Sequence, residues 1–173
     1  CLATGDASGR VLIWQLGANG KYVSTAFHWH SMQVTTLAWE LESACLYTSG
    51  GENVLVKWDV KNANKIGFVP RLGSSMRRVS VEGGLVICQM EDNSVKLFSN
   101  HMIERGLLKG VGGVNAVFWH AGTKSVILDE GRQLSFFSPE SNATTLVCDT
   151  VQDNIVLGDS NYTTQKRTTT VMS

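Results

Sequence analysis

Four short segments of the chain line up on one another, and each ends in an aromatic residue. They are Val11-Leu12-Ile13-Trp14, Leu55-Val56-Lys57-Trp58, Val95-Lys96-Leu97-Phe98 and Leu134-Ser135-Phe136-Phe137. The closing aromatics fall 44, 40 and 39 residues apart, from Trp14 to Trp58 to Phe98 to Phe137. A unit of roughly 40 residues that recurs in this way cannot bury its apolar side chains alone; it must stack on copies of itself. A second column keeps step with the first: Val34–Trp39, Met76–Val81 and Val114–Trp119, each starting 19 to 21 residues upstream of its partner segment. Between the two columns sit the short apolar runs Cys1–Thr4, Cys45–Thr48, Leu85–Cys88 and Ser125–Leu128.

Each run is too short for a helix and is rich in β-branched and aromatic residues, which marks a strand. Gly9, Asn53 and Asn93 share one repeat position just ahead of the aromatic-ended run. All three tolerate positive φ, so a tight hairpin turn is expected there. Each repeat therefore reads as inner strand, second strand, turn, third strand and a weaker outer strand. Outer strands are expected at Tyr22–Phe27, Ile66–Val69, Ile103–Leu108 and Thr144–Val147. Adjacent apolar pairs such as Leu12-Ile13 and Leu55-Val56 break the in–out alternation of a half-exposed sheet. They call for sheets covered on both faces, which stacked propeller blades provide. The expected fold is all-β, a partial β-propeller of about three to four four-stranded antiparallel blades. It covers residues 1–160, with blades ending near Trp14, Trp58, Phe98 and Phe137, and residues 150–157 opening a further strand. Residues 161–173 are Thr/Ser-rich without apolar periodicity and are expected to form a disordered tail. Cys1 opens the sequence inside a strand-like run, so a fragment of a longer chain, or an incompletely predicted gene product, is expected.

Charge narrows the function classes. Lys+Arg and Asp+Glu both number 15, for a formal net charge of zero, so the domain as a whole has no electrostatic grip on nucleic acid. No apolar run reaches the length of a membrane span, and no signal peptide is expected ahead of Cys1. Cys1, Cys45, Cys88 and Cys148 lie in strand-like runs without CxxC spacing, so reduced, buried thiols in an intracellular protein are expected.

The candidate sites are few. His28-Trp29-His30 alternates so that both imidazoles fall on one side of a strand, as zinc ligands sometimes do. No third ligand stands nearby in sequence, and packing and hydrogen bonding within a blade is the expected role. Asp6, Asp92 and Asp129 belong to hairpin turns, where a carboxylate accepts backbone N–H bonds. Gly110-Val111-Gly112-Gly113 is followed by no Lys-Ser/Thr pair and reads as a loop between blades, not a phosphate cradle. There is no nucleophile elbow and no Cys/His signature, so no enzyme, catalytic residue, metal or cofactor is expected. Arg71, Arg77 and Arg78 form the one basic cluster and are candidate contacts for a partner or RNA phosphate. Solvated surface charge, or a pair with Glu82, is the competing account.

The period and Lys57-Trp58-Asp59 make this a WD-repeat sequence. A narrower likeness is carried by His28-Trp29-His30, Val34–Trp39, Ser49–Trp58 and Phe68-Val69-Pro70-Arg71-Leu72-Gly73-Ser74. Together these resemble the tandem-propeller WD-repeat subunits of the UtpA (t-UTP) complex of the small-subunit processome. The resemblance implies a position late in a first propeller, in a nucleolar protein. It implies a non-catalytic scaffold in pre-rRNA transcription and early 18S rRNA processing. Its partners would be protein subunits of a pre-ribosomal complex, with pre-rRNA or snoRNA contacted locally, and with no membrane and no small-molecule substrate. A different WD-repeat adaptor, such as a substrate receptor or trafficking scaffold, is the alternative. The repeat's usual tetrad of His, Ser/Thr, Asp and Trp is incomplete. In the second repeat His28 or His30, Thr48 or Ser49, and Trp58 survive, while Glu52 and Asn53 stand where Asp is common. Phe98 and Phe137 replace Trp in the later repeats and cannot donate a hydrogen bond, so those blades are expected to rely on packing.

Overall fold

The computed structural model describes residues 1–40, 42–109, 116–120, 125–129, 133–138 and 143–149. The glycine loop at 110–113, the strand expected at 150–157 and the tail at 161–173 lie outside the described residues. The chain forms two compact units, Cys1–Leu107 and Leu108–Ser173.

The first unit holds three sheets. The first blade is β1 (Leu2–Gly5), β2 (Arg10–Leu16) and β3 (Tyr22–His28). The second is β4 (Val34–Glu40), β5 (Cys45–Gly50), β6 (Val54–Asp59) and β7 (Asn64–Val69). The third is β8 (Met76–Glu82), β9 (Leu85–Met90), β10 (Val95–Ser99) and β11 (Glu104–Leu108). Every pairing is antiparallel between neighbours in sequence. The second unit carries one further four-stranded antiparallel sheet: β12 (Ala116–His120), β13 (Ser125–Asp129), β14 (Gln133–Ser138) and β15 (Ala143–Asp149). Among the described residues there is no helix. The chain is thus all-β, part of a WD-repeat propeller, and the four outer strands fall where the sequence puts them to within two residues.

The turns follow from their residues. Gly9, Asn53 and Asn93 take φ of 82°, 62° and 60°, the left-handed region that Gly and Asn reach most cheaply. Asn53 also ties the second blade to the next connection: its carbonyl accepts from the Leu72 N–H at 3.0 Å and its side-chain oxygen from the Ser75 hydroxyl at 2.9 Å.

Burial on both faces appears most clearly in the second blade, where every residue of β5 is buried. Because successive strand residues point to opposite faces, β5 and β6 feed two cores. Leu46, Val54, Val56 and Trp58 pack with Ala3, Val11, Ile13 and Phe27 of the first blade. Cys45, Tyr47 and Leu55 pack with Leu72, Met76, Val79, Val86, Cys88, Met90 and Phe98 of the third.

Candidate functional site

The polar centre of the second blade lies where β5, β6 and the β3–β4 connection converge. The Trp58 indole N–H donates to the Thr48 hydroxyl at 2.8 Å. Thr48 Oγ1 lies 2.7 Å from His30 Nε2, and His30 Nδ1 meets the Glu52 carboxylate. The indole can only donate, so Thr48 accepts from it and keeps a lone pair and a proton for its bond with Nε2. Thr48 and His30 are essentially inaccessible to solvent, and their polar side-chain atoms are all partnered, whereas among the described residues the second Glu52 carboxylate oxygen is buried without a partner.

Two expectations are refined here. The histidine of the tetrad is His30; His28 ends β3 exposed to solvent and takes no part. The tetrad of this blade is also complete, because Glu52 takes the place of the usual Asp. With both His30 nitrogens engaged inside the blade, the paired-imidazole arrangement considered from the sequence does not form.

The other blades vary this theme. In the first, Trp14 donates to Thr4 at 3.0 Å. In the third, the positions of His30, Thr48 and Trp58 hold Leu72, Cys88 and Phe98, all buried and packed in one cluster. In the fourth sheet, Leu128 and Phe137 stand at the register positions of Thr48 and Trp58. Wherever the indole is lost, the hydroxyl it would have satisfied is lost with it. A Thr left beside Phe98 would bury a hydroxyl without its donor, at a cost of roughly 1–3 kcal/mol. Asp92, in the position of Glu52, turns instead to its own hairpin and accepts from the Ser94 N–H and hydroxyl at 3.1 and 2.6 Å. Burial pushes the Cys88 thiol well above its ordinary range, so it is an inert core group.

A second polar group, not foreseen from the sequence, joins the second and third blades. Lys57 Nζ lies 3.3 Å from Glu40 and donates to the Asn100 carbonyl at 2.9 Å. It also sits 5.1 Å from the centre of the Tyr47 ring. The Lys57 and Glu40 side chains are each only 12% exposed, so the pair is nearly buried. Burial raises the Tyr47 phenol's pKa. Burial works against the charge on Lys57, but its contacts with Tyr47 and Glu40 outweigh that and raise its pKa. The sequence signal was a lysine inside an otherwise apolar strand.

The basic cluster divides. Arg71 is exposed, with φ of 56°, in a connection fixed just beyond it by the bonds of Leu72 and Ser75 to Asn53. Arg77 and Arg78 are exposed in the first half of β8. Arg77 donates to Glu91 at 3.0 Å, not to Glu82, and this bond holds the Glu91 carboxyl below the usual carboxylate range. Both side chains are about half exposed, so the pair is weakly held and open to competition. The turn carboxylate Asp6 accepts from Ser8 and Arg10, backbone and side chain alike.

Comparison with known proteins agrees with this architecture. Residues 1–94 match the family described as WD repeat-containing protein 75 first beta-propeller. WD repeat-containing protein 75 of Xenopus laevis is 32% identical over 114 residues, covering 64% of this chain and 14% of that protein. U3 small nucleolar RNA-associated protein 17 of Schizosaccharomyces pombe is 32% identical over 78 residues, covering 45% of this chain and 10% of that protein. The chain thus spans a small part of the relatives it matches. A chain in the crystal structure of the mitotic checkpoint complex shares the fold, with a TM-score of 0.67 at 18% identity, over 82% of this chain and 45% of that one. With its first three blades built on this repeat, and more than half of its length matching the family, the chain belongs to the WD repeat-containing protein 75 first beta-propeller family.

Proposed function

We propose that this chain is part of a non-catalytic scaffold for ribosome biogenesis, a member of the small-subunit processome acting in the nucleolus. Its work there is in pre-rRNA transcription and early 18S rRNA processing. The observation that carries this reading is the family match over residues 1–94, together with a relative named for the U3 small nucleolar RNA. The polar groups support it, because those of the second blade are spent on holding strands together. What faces outward are turns and edges, which suit protein partners. Arg71, Arg77 and Arg78 are the proposed local contact for RNA phosphate or an acidic partner, with Glu91 displaced from Arg77 on binding.

Depletion of the full-length protein, followed by pulse-labelling of rRNA, tests the reading. Synthesis of the precursor or its early cleavages should fall, and 18S rRNA with them, while the protein purifies with pre-ribosomal subunits. Unchanged precursors and a protein found outside the nucleolus would favour a different WD-repeat adaptor. Charge reversal of the three arginines in the re-expressed protein tests the contact separately. Loss of association with folding intact supports it, and unchanged association removes it.

A further inference from the structure

We propose that the free edge of β7 is a docking site for an extended acidic peptide, which adds to the second blade as a fifth strand. Among the described residues β7 pairs only with β6, so one edge of its backbone is open to strand addition. Such edges are common; four features set this one apart.

First, β7 is held from both sides. On the side of the third blade, Met102 packs where Gly67 lacks a side chain, its Cγ 3.3 Å from the position a Cβ would take. On the other, Trp29 packs against Phe68 at 5.3 Å between ring centres, and the Lys65 ammonium lies 4.5 and 4.7 Å from the two rings. A strand already fixed loses little freedom when a partner pairs with it.

Second, the edge shows apolar surface beside the backbone. Ile66 and Phe68 are 50% and 46% exposed. Ile66 is also the extra residue of a bulge, since Gly67 faces Lys57 and Lys65 faces Trp58. Its side chain therefore has no cross-strand neighbour on β6 and is available to an incoming strand.

Third, the charge is one-sided. β7 itself carries Lys65 and no carboxylate, and the turn before it carries Lys61 beside Asp59. The other outer strands of this unit differ: β3 has no Lys, Arg, Asp or Glu, and β11 opens on the opposite charges Glu104 and Arg105.

Fourth, the same lysines exclude one competitor. Lysine on an edge repels a second copy of that edge, so pairing between two β7 strands is disfavoured while a strand bearing Asp or Glu is favoured. Apolar side chains of that strand would lie along Ile66 and Phe68, and a carboxylate would meet Lys65.

The test places the photo-crosslinking residue p-benzoylphenylalanine at Ile66 of the full-length protein in cells, with a control at Asn19 in an exposed turn of the first blade. Mass spectrometry then identifies the attached peptide. The expected result is one predominant adduct at Ile66, absent at Asn19, whose linked peptide is net acidic. Its yield should fall about fivefold or more in Lys65→Glu and persist in Lys65→Arg. If Lys65→Glu lowers the thermal midpoint, Lys65→Gln carries the charge test instead. The linked peptide, synthesised and added to the purified full-length protein, should slow amide exchange in β7. Adducts shared with Asn19, no adduct at all, adducts to nucleic acid or to another copy, a neutral or basic peptide, yield indifferent to Lys65, or no protection of β7 would each overturn the proposal.

Discussion

Gly50 and Glu52 share one space: the Glu52 carboxyl carbon lies 2.8 Å from where a Cβ on Gly50 would stand. This is how the second blade seats a glutamate where the repeat usually has the shorter aspartate. The carboxyl group of the longer side chain folds back over a residue with no side chain and still reaches His30.

Gly50→Ala should therefore destabilise the protein by about 1–3 kcal/mol, the usual cost of forcing an extra group into a packed site. Glu52→Asp in the same chain should recover part of that loss, because the shorter acid withdraws from the new methyl group. Denaturant unfolding of the two single variants and the double variant measures it. Equal loss in Gly50→Ala with and without Glu52→Asp would show that the coupling is absent.

His30, Thr48 and Trp58 should behave as one unit. Trp58→Ala removes the ring that stacks on Phe27 at 5.1 Å and should cost roughly 3–5 kcal/mol. Trp58→Phe alone strands a buried hydroxyl partner. The triple change His30→Leu, Thr48→Cys, Trp58→Phe writes the third blade's arrangement into the second, and should cost less than the sum of its single changes. A strictly additive result from thermal or denaturant unfolding would contradict this.

The nearly buried pair of Lys57 and Glu40 makes a third case. Lys57→Met leaves the nearly buried Glu40 charge unpaired and removes the shorter of the two hydrogen bonds to the Asn100 carbonyl, which should cost about 3–5 kcal/mol. Adding Glu40→Gln should restore stability in part. If the double variant is the less stable of the two, the charges are not coupled in the way their geometry states.

Asp6 makes a prediction about acid. Hydrogen bonds from the Ser8 hydroxyl and the Arg10 N–H, with smaller contributions from the Arg10 side chain and the Ser8 N–H, hold its carboxyl well below the ordinary carboxylate range. A carboxyl whose folded pKa is depressed contributes stability above its unfolded pKa, near 3.9 for Asp. That contribution is lost only as pH falls through the lower folded value. The Asp6 carboxyl signal, followed by NMR, should therefore remain that of the ionised form at about pH 3, where free Asp is mostly protonated. An ordinary titration near pH 4 would contradict the turn's hydrogen bonding.

Much of the fold is legible in the sequence because it depends on local chemistry. Strand length, β-branched content and the demand for positive φ at Gly9, Asn53 and Asn93 are properties of a few consecutive residues. The site is legible only in part. Alternation alone gives His28 and His30 equal claims, and the choice rests on which one the β3–β4 connection turns inward. Glu52 reads as a departure from the repeat until the space over Gly50 is known. The Arg77–Glu91 bond and the Lys57–Asn100 contact span 14 and 43 residues. They are set by how strands lie across one another, which no local pattern encodes. The Trp29–Phe68 contact is of the same kind, joining a connection to an outer strand.

The seam between the second and third blades contains two buried thiols, Cys45 and Cys88. Neither can meet a reagent while the blades are in contact. Their rate of alkylation is therefore a clock for how often this seam parts, read separately from unfolding of the whole protein. A partner that bridges the two blades would slow that clock without touching either sulfur. Two ordinary core residues thus let assembly of this protein with its partners be followed in time as well as by affinity.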